Sequence, residues 1–140
     1  MYQKITIIGN LGKDPEMRYT ANGTPVTSFS VATNRRWKND DGSKGEETVW
    51  FRVSAWRGLA EICNQYLSKG RQVFVEGRLQ PDKATGGPRI WTGNDGQPRA
   101  SFEITALTVQ FLGSRGEQAG GPPSGLEEPP GLVETEDIPF

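Results

Sequence analysis

A barrel of five β-strands with a single helix between the third and fourth strands is the fold this sequence predicts. Three observations carry it. Short β-branched runs alternate with Gly/Pro/Asn/Asp clusters along residues 1–112. Only one stretch carries helical periodicity. The interval between two of the runs, Asn39 to Gly45, is a polar hairpin tip.

The elements follow in order. Ile5-Thr-Ile-Ile8 begins a first strand that runs from Lys4 and closes at Gly9-Asn10. Turn residues occupy Gly12 to Pro15 and Ala21 to Pro25. Beyond them Phe29, Val31 and Thr33 alternate with Ser28, Ser30 and Ala32 in a long second strand reaching about Trp37. The third strand, Glu46 to Trp56, has the clearest period of two. Val49, Phe51, Val53 and Ala55 form its core face, while Trp50, Arg52, Ser54 and Trp56 form the other. Leu59, Ile62, Cys63, Tyr66 and Leu67 make the stripe of an amphipathic helix, with Lys69-Gly70 as last-turn cation and terminal glycine. Val73, Val75, Gly77 and Leu79 mark a fourth strand. A Gly/Pro-rich excursion from Pro81 to Pro98 carries Trp91, and Ser101–Leu112 is the fifth strand. Strands and helix in this order fit a five-stranded OB barrel.

Composition narrows the chemistry. The 140 residues contain no histidine and one cysteine, which excludes disulfide scaffolds, Cys/His zinc sites, Cys-His dyads and Ser-His-Asp triads. No nucleotide-binding loop or dinucleotide fingerprint is present, and no cofactor is called for. The acidic pairs Asp40-Asp41 and Glu46-Glu47 could in principle hold a divalent metal, but a flexible hairpin tip would hold one poorly, so neither a metal site nor catalysis is expected. Cys63 lies on the buried stripe of the helix and reads as a small hydrophobe. No apolar run reaches the ~18 residues of a membrane span, so a soluble protein without membrane contact is expected.

Charge divides the chain in two. Residues 1–112 hold 15 Lys+Arg against 11 Asp+Glu, a net of +4, whereas residues 113–140 hold Arg115 against six acids, a net of −5. That second segment also contains 6 Gly and 5 Pro, too little apolar surface to offset the entropy of ordering, and it is expected to be a disordered acidic tail. Its last residues combine Glu134, Glu136 and Asp137 with Ile138, Pro139 and Phe140, the chemistry of a short peptide that docks in an apolar pocket with a basic rim.

The four tryptophans are the main functional signal. Trp37 is flanked by Arg35, Arg36 and Lys38; Arg52 lies between Trp50 and Trp56; Arg57 follows Trp56; Arg89 precedes Trp91. Aromatic rings interleaved with cations suit a single-stranded nucleic acid, whose bases stack and whose phosphates need neutralising. Two alternatives stay open for any one of the rings, which can instead cap the barrel core or make subunit contacts.

These residues also carry a resemblance. Ile8-Gly-Asn-Leu-Gly-Lys-Asp-Pro-Glu-Met-Arg-Tyr19, Phe29-Ser-Val-Ala-Thr33, Glu47-Thr-Val-Trp-Phe-Arg-Val53, Tyr66-Leu-Ser-Lys-Gly70, Gln72-Val-Phe-Val-Glu-Gly77 and Asp137-Ile-Pro-Phe140 are similar to the bacterial single-stranded-DNA-binding proteins. The resemblance implies an OB-fold domain over residues 1–112 that usually assembles as a homotetramer and coats single-stranded DNA without sequence preference. It implies a cytoplasmic, nucleoid-associated protein whose acidic tip recruits replication, recombination and repair enzymes. The family's stacking aromatics fall on Trp37, Trp50, Trp56 and Trp91, and its phosphate contacts on Arg18, Arg52 and Lys69. The chain departs from the family at Phe51, where a histidine is frequent and subunit contacts are made, and in the longer Gln80–Arg99 excursion.

Overall fold

The computed structural model describes residues 1–112. The acidic tail expected over 113–140, including its docking peptide, lies outside the described residues. Eight elements are formed: β1 (Ile5–Leu11), β2 (Glu16–Tyr19), β3 (Pro25–Lys38), β4 (Lys44–Trp56), α1 (Gly58–Tyr66), β5 (Gln72–Leu79), β6 (Arg89–Thr92) and β7 (Pro98–Leu112). The five expected strands are β1, β3, β4, β5 and β7. They close a ring in which β1 pairs with β3, β3 with β4, β4 with β7, β7 with β5 and β5 with β1. Every pairing in the ring is antiparallel except β4–β7, which joins Phe51–Ser54 to Phe102–Thr105 in parallel.

Closure depends on two close backbone approaches. β1 pairs with β5 from Ile5 to Asn10 and with β3 at Asn10 and Leu11, so it must bend across its end. A Cβ on Gly9 would strike the carbonyl oxygen of Ala32 and come within 2.8 Å of Val31 Cγ1; only glycine lets the strands meet there. On the far side, a Cβ on Gly77 would strike the Thr105 carbonyl oxygen. The β5–β7 register shifts at that point, between Glu76 and Gly77, and such bulges bend a sheet into a barrel.

Inside the ring, Phe29, Val31, Val53, Val73, Val75, Ile104 and Phe111 form the core, and Cys63 and Leu67 join it from α1 and the residue after it. The helix is tied to the barrel wall by the buried Thr27 hydroxyl, which donates to the Ala60 carbonyl at 2.6 Å. The core face of β4 is buried only at Val53 and Ala55; Val49 and Phe51 are half-buried because β4 and its partner β3 continue beyond the barrel as a long arm.

Two expectations need correction. The helix ends at Tyr66, Leu67 is already extended (ψ 153°), and no basic residue lies in the last turn. Lys69 and Gly70 belong instead to a turn closed by the Arg71 N–H donating to Ser68 O at 3.1 Å, with Gly70 at φ 86°. That turn brings Gly70 N–H to the Leu11 carbonyl (2.9 Å) and Leu11 N–H to the Arg71 carbonyl (3.0 Å), a junction that a longer helix would prevent. Two four-residue strands add to the five expected, β2 between the turn clusters at 12–15 and 21–25 and β6 within the excursion. Neither has apolar alternation, and each is made by its ladder, β2 on β3 and β6 on the outlying start of β7. Leu79, in line with the buried Val73, Val75 and Gly77 of β5, is exposed. Among the described residues no helix is long and apolar enough to cross a membrane.

Candidate nucleic-acid interface

Strand parity fixes which side chains share a face. On β4, Trp50, Arg52 and Trp56 stand opposite Ala32, Ser30 and Val26 of β3, and β2 sets Arg18 opposite the same Val26. Arg18, Val26 and Trp56 therefore form one row across three strands. The row containing Arg52 continues through the parallel pairing to Glu103 of β7. From Trp50 to Trp56 this face extends ~20 Å along the strand.

Trp50 is 52% exposed, and its ring lies over Gly12, where a Cβ would be 2.7 and 2.8 Å from two ring carbons. A half-exposed indole whose outer edge is lodged against a glycine keeps ring face exposed for stacking. Beside it, β4 and β7 part company after the Phe51–Phe102 pair, and β7 turns away to form a hairpin with β6. The gap is an open cleft of about 410 Å³ lined by Trp50, Arg52, Trp91, Ser101 and Phe102 among others. Trp91 is thus brought to Trp50 although 41 residues separate them in the chain. Phe51 packs on Phe102 with ring centroids 5.9 Å apart.

Trp37 does not join this face. It shares the parity of Phe29 and Val31, stands opposite Gly45, and lies on the reverse side of the β3–β4 arm from Trp50 and Trp56. Its ring rests on Gly45, its indole N–H donates to Asn39 Oδ1 at 3.0 Å, and the Arg35 guanidinium lies 4.6 Å from its centroid. At the tip, Ser43 donates hydrogen bonds from its hydroxyl and its backbone N–H to Asp41, and these hold the carboxyl below its usual range.

The cations fall into two groups. Arg35 pairs with Glu47 at 3.2 Å, Arg36 with Glu46 at 3.5 Å, and Arg89 with Glu103 at 3.4 Å. Of the acids considered as metal ligands in the arm, Glu46 and Glu47 are thereby engaged by arginines, and among the described residues no three acidic or thiol side chains cluster to hold an ion. Arg18, Arg52, Arg57 and the Lys69 ammonium have no carboxylate within 4 Å among the described residues, and all four residues are exposed. Lys69 is fixed through its backbone N–H, which donates to Asp14 at 2.8 Å. Arg57 occupies φ 59°, ψ −128° at the start of α1, a region that side-chain-bearing residues avoid.

Sequence reasoning did not single out Gly12, Gly45, Phe102 or Glu103. Counting residues outward from the hairpin tip sets Trp37 opposite Gly45 and could have found that platform. The others depend on chain contacts over long separations.

A five-stranded barrel plugged by one helix, with exposed indoles and unpaired cations on a continuous sheet face, defines a protein of the OB class. The chain belongs to the single-strand binding protein family, whose model matches residues 2–112. It is 43% identical over 120 residues to a single-stranded DNA-binding protein of Neisseria meningitidis serogroup A, covering 86% of this chain and 65% of that protein, a little under two thirds of its length. It is 40% identical over 121 residues to the corresponding Wolinella succinogenes protein, covering 86% and 70%. Among solved structures it resembles a Plasmodium falciparum SSB in complex with ssDNA, with TM-score 0.65 and 31% identity over 80% of this chain and 96% of that one.

Proposed function

We propose that this protein binds single-stranded DNA without sequence preference and without catalysis, stacking bases on Trp50, Trp56 and Trp91 and neutralising phosphates with Arg18, Arg52, Arg57 and Lys69. The observation that carries the reading is the β4 face and its adjoining cleft, where half-exposed indoles alternate with unpaired cations. Arg35, Arg36 and Trp37 extend the surface along the arm, on whose reverse face Trp37 meets a strand that wraps around it. The family and the DNA-bound Plasmodium relative support the same ligand.

The proposal includes a role in replication, recombination and repair in the cytoplasm, with enzymes recruited through Glu134, Glu136, Asp137, Ile138, Pro139 and Phe140. It also includes a homotetramer, for which the half-buried Ile8 and Phe74, opposite one another on the outer face of β1 and β5, offer an apolar surface. Equilibrium competition tests the ligand: a labelled oligo(dT) should be displaced by unlabelled single-stranded DNA of mixed sequence and far less by duplex or by RNA of the same sequence. Preferential displacement by RNA would overturn the assignment. Deleting Ile138-Pro139-Phe140 should leave DNA affinity almost unchanged and abolish recovery of partner enzymes on DNA-coated beads.

A further inference from the structure

We propose that Glu103 withholds Arg89 from phosphate and clamps it against Trp91, making Arg89 a positioning residue for a stacking ring. The proposal rests on the single-strand-binding reading above, and it removes from the phosphate contacts an arginine that the sequence assigns to the DNA-binding surface.

Three arginines of the candidate surface face carboxylates, but the pairs are not equivalent. The side chains of Arg35 and Glu47 are 66% and 49% exposed, and those of Arg36 and Glu46 75% and 55%. Water competes for both members of each pair, so a phosphate can take either arginine at little cost. Glu103 is different, because its side chain is only 17% exposed. Its carboxylate accepts a hydrogen bond from Ser101 Oγ at 2.8 Å as well as from Arg89 at 3.4 Å. Taking Arg89 away would leave a largely desolvated carboxylate short of its counter-charge, which is costly.

The guanidinium is held a second time. Its central carbon lies 5.4 Å from the Trp91 ring centroid, within cation–π range. The arrangement is fixed by strand pairing: Arg89 stands opposite Ser101, two residues along β7 from Glu103 on the same face. One face of Trp91 is therefore taken by a neutralised cation, and the other is left for a base.

The test is the salt dependence of oligo(dT) affinity for the full chain and three variants. Arg89→Gln should weaken binding about two- to five-fold by the same factor at every salt concentration, because it loosens Trp91. The log–log slope should stay at the wild-type value. Glu103→Gln, which keeps an acceptor for the Ser101 hydroxyl, should free Arg89 for phosphate and steepen the slope by about 0.7. The double variant should return it to the wild-type slope. A slope made shallower by about 0.7 in Arg89→Gln would overturn the proposal and make Arg89 an ordinary phosphate contact, and this variant decides that question even if Glu103→Gln fails to fold. An unchanged slope in folded Glu103→Gln would overturn it too. Absence of oligo(dT) binding by the wild-type protein would instead sink the single-strand-binding reading on which the proposal stands.

Discussion

Placing a methyl group on Gly12 tests whether the pose of Trp50, and not only its presence, sets affinity. Gly12 does not occupy the left-handed region, so alanine meets no backbone penalty there. The new Cβ would lie 2.7 and 2.8 Å from two Trp50 ring carbons, about 0.8 Å short of the ~3.5 Å at which carbon atoms pack. Backbone flanks one side of the contact and solvent borders the half-exposed indole on the other, so the ring yields. Stability should stay within about 1 kcal/mol of wild type, helped by the lower chain entropy of unfolded alanine. Stacking is worth about 1–3 kcal/mol per base. Displacing the ring without removing it should forfeit about 1 kcal/mol, a roughly five-fold loss of oligo(dT) affinity. Fluorescence anisotropy with a labelled oligomer measures this, and a double-mutant cycle assigns it: in a Trp50→Ala background, Gly12→Ala should have no further effect. If the five-fold loss persists in that background, Gly12 acts by some route other than Trp50 and the platform argument fails.

Arg57→Gly should raise the melting temperature, since relieving ~1–3 kcal/mol of backbone strain outweighs the ~0.5–1 kcal/mol entropic cost of glycine; it should also make the salt slope shallower by about 0.7. A stabilised variant with an unchanged slope would take Arg57 out of the interface. Thr27→Val removes the hydrogen bond to Ala60 while keeping the side-chain volume, and urea denaturation should show a loss of about 1 kcal/mol; no loss would mean that the helix is held by packing alone. Burial pushes the Cys63 thiol up from 9.0 to about 12, so above pH 9 the unfolded chain releases a proton that the folded chain keeps. The stability of wild type relative to Cys63→Ala should therefore be constant below pH 8 and fall by ~1.4 kcal/mol per unit as pH rises from about 9 toward 12. A constant difference across pH 7–11 would show that the thiol ionises within the fold.

The parts of the fold legible in the sequence are those with their own periodicity. Val49, Phe51, Val53 and Ala55 specify β4 by alternation, and Leu59, Ile62, Cys63 and Tyr66 specify α1. β2 and β6 are invisible because four residues such as Glu16–Tyr19 become a strand only when β3 is present to pair with them. Alternation names a face but not how far the barrel extends along it, so the exposure of Leu79 beyond the buried Val73, Val75 and Gly77 could not be read. For the site, the exposed face of β4 was legible, while the side taken by Trp37 was left unassigned although it was available: Phe29, Val31 and Trp37 share odd positions and hence one face of β3. Glu103 beside Arg52 was not readable, since the parallel β4–β7 register joins segments some 50 residues apart. Nor could the positive φ of Arg57 be read, because nothing in Trp56-Arg57-Gly58 says that the arginine and not the glycine takes that turn.

The central claim is that one sheet face stacks the bases of a single strand while its cations meet the phosphates. Titration of intrinsic tryptophan fluorescence with oligo(dT) at a series of salt concentrations, with a duplex of equal length alongside, tests both halves at once. The account predicts strong quenching by the single strand, little by the duplex, and a log affinity that falls linearly with log salt by about 0.7 for each phosphate contacted. Equal affinity for the duplex, or binding without quenching, would contradict it.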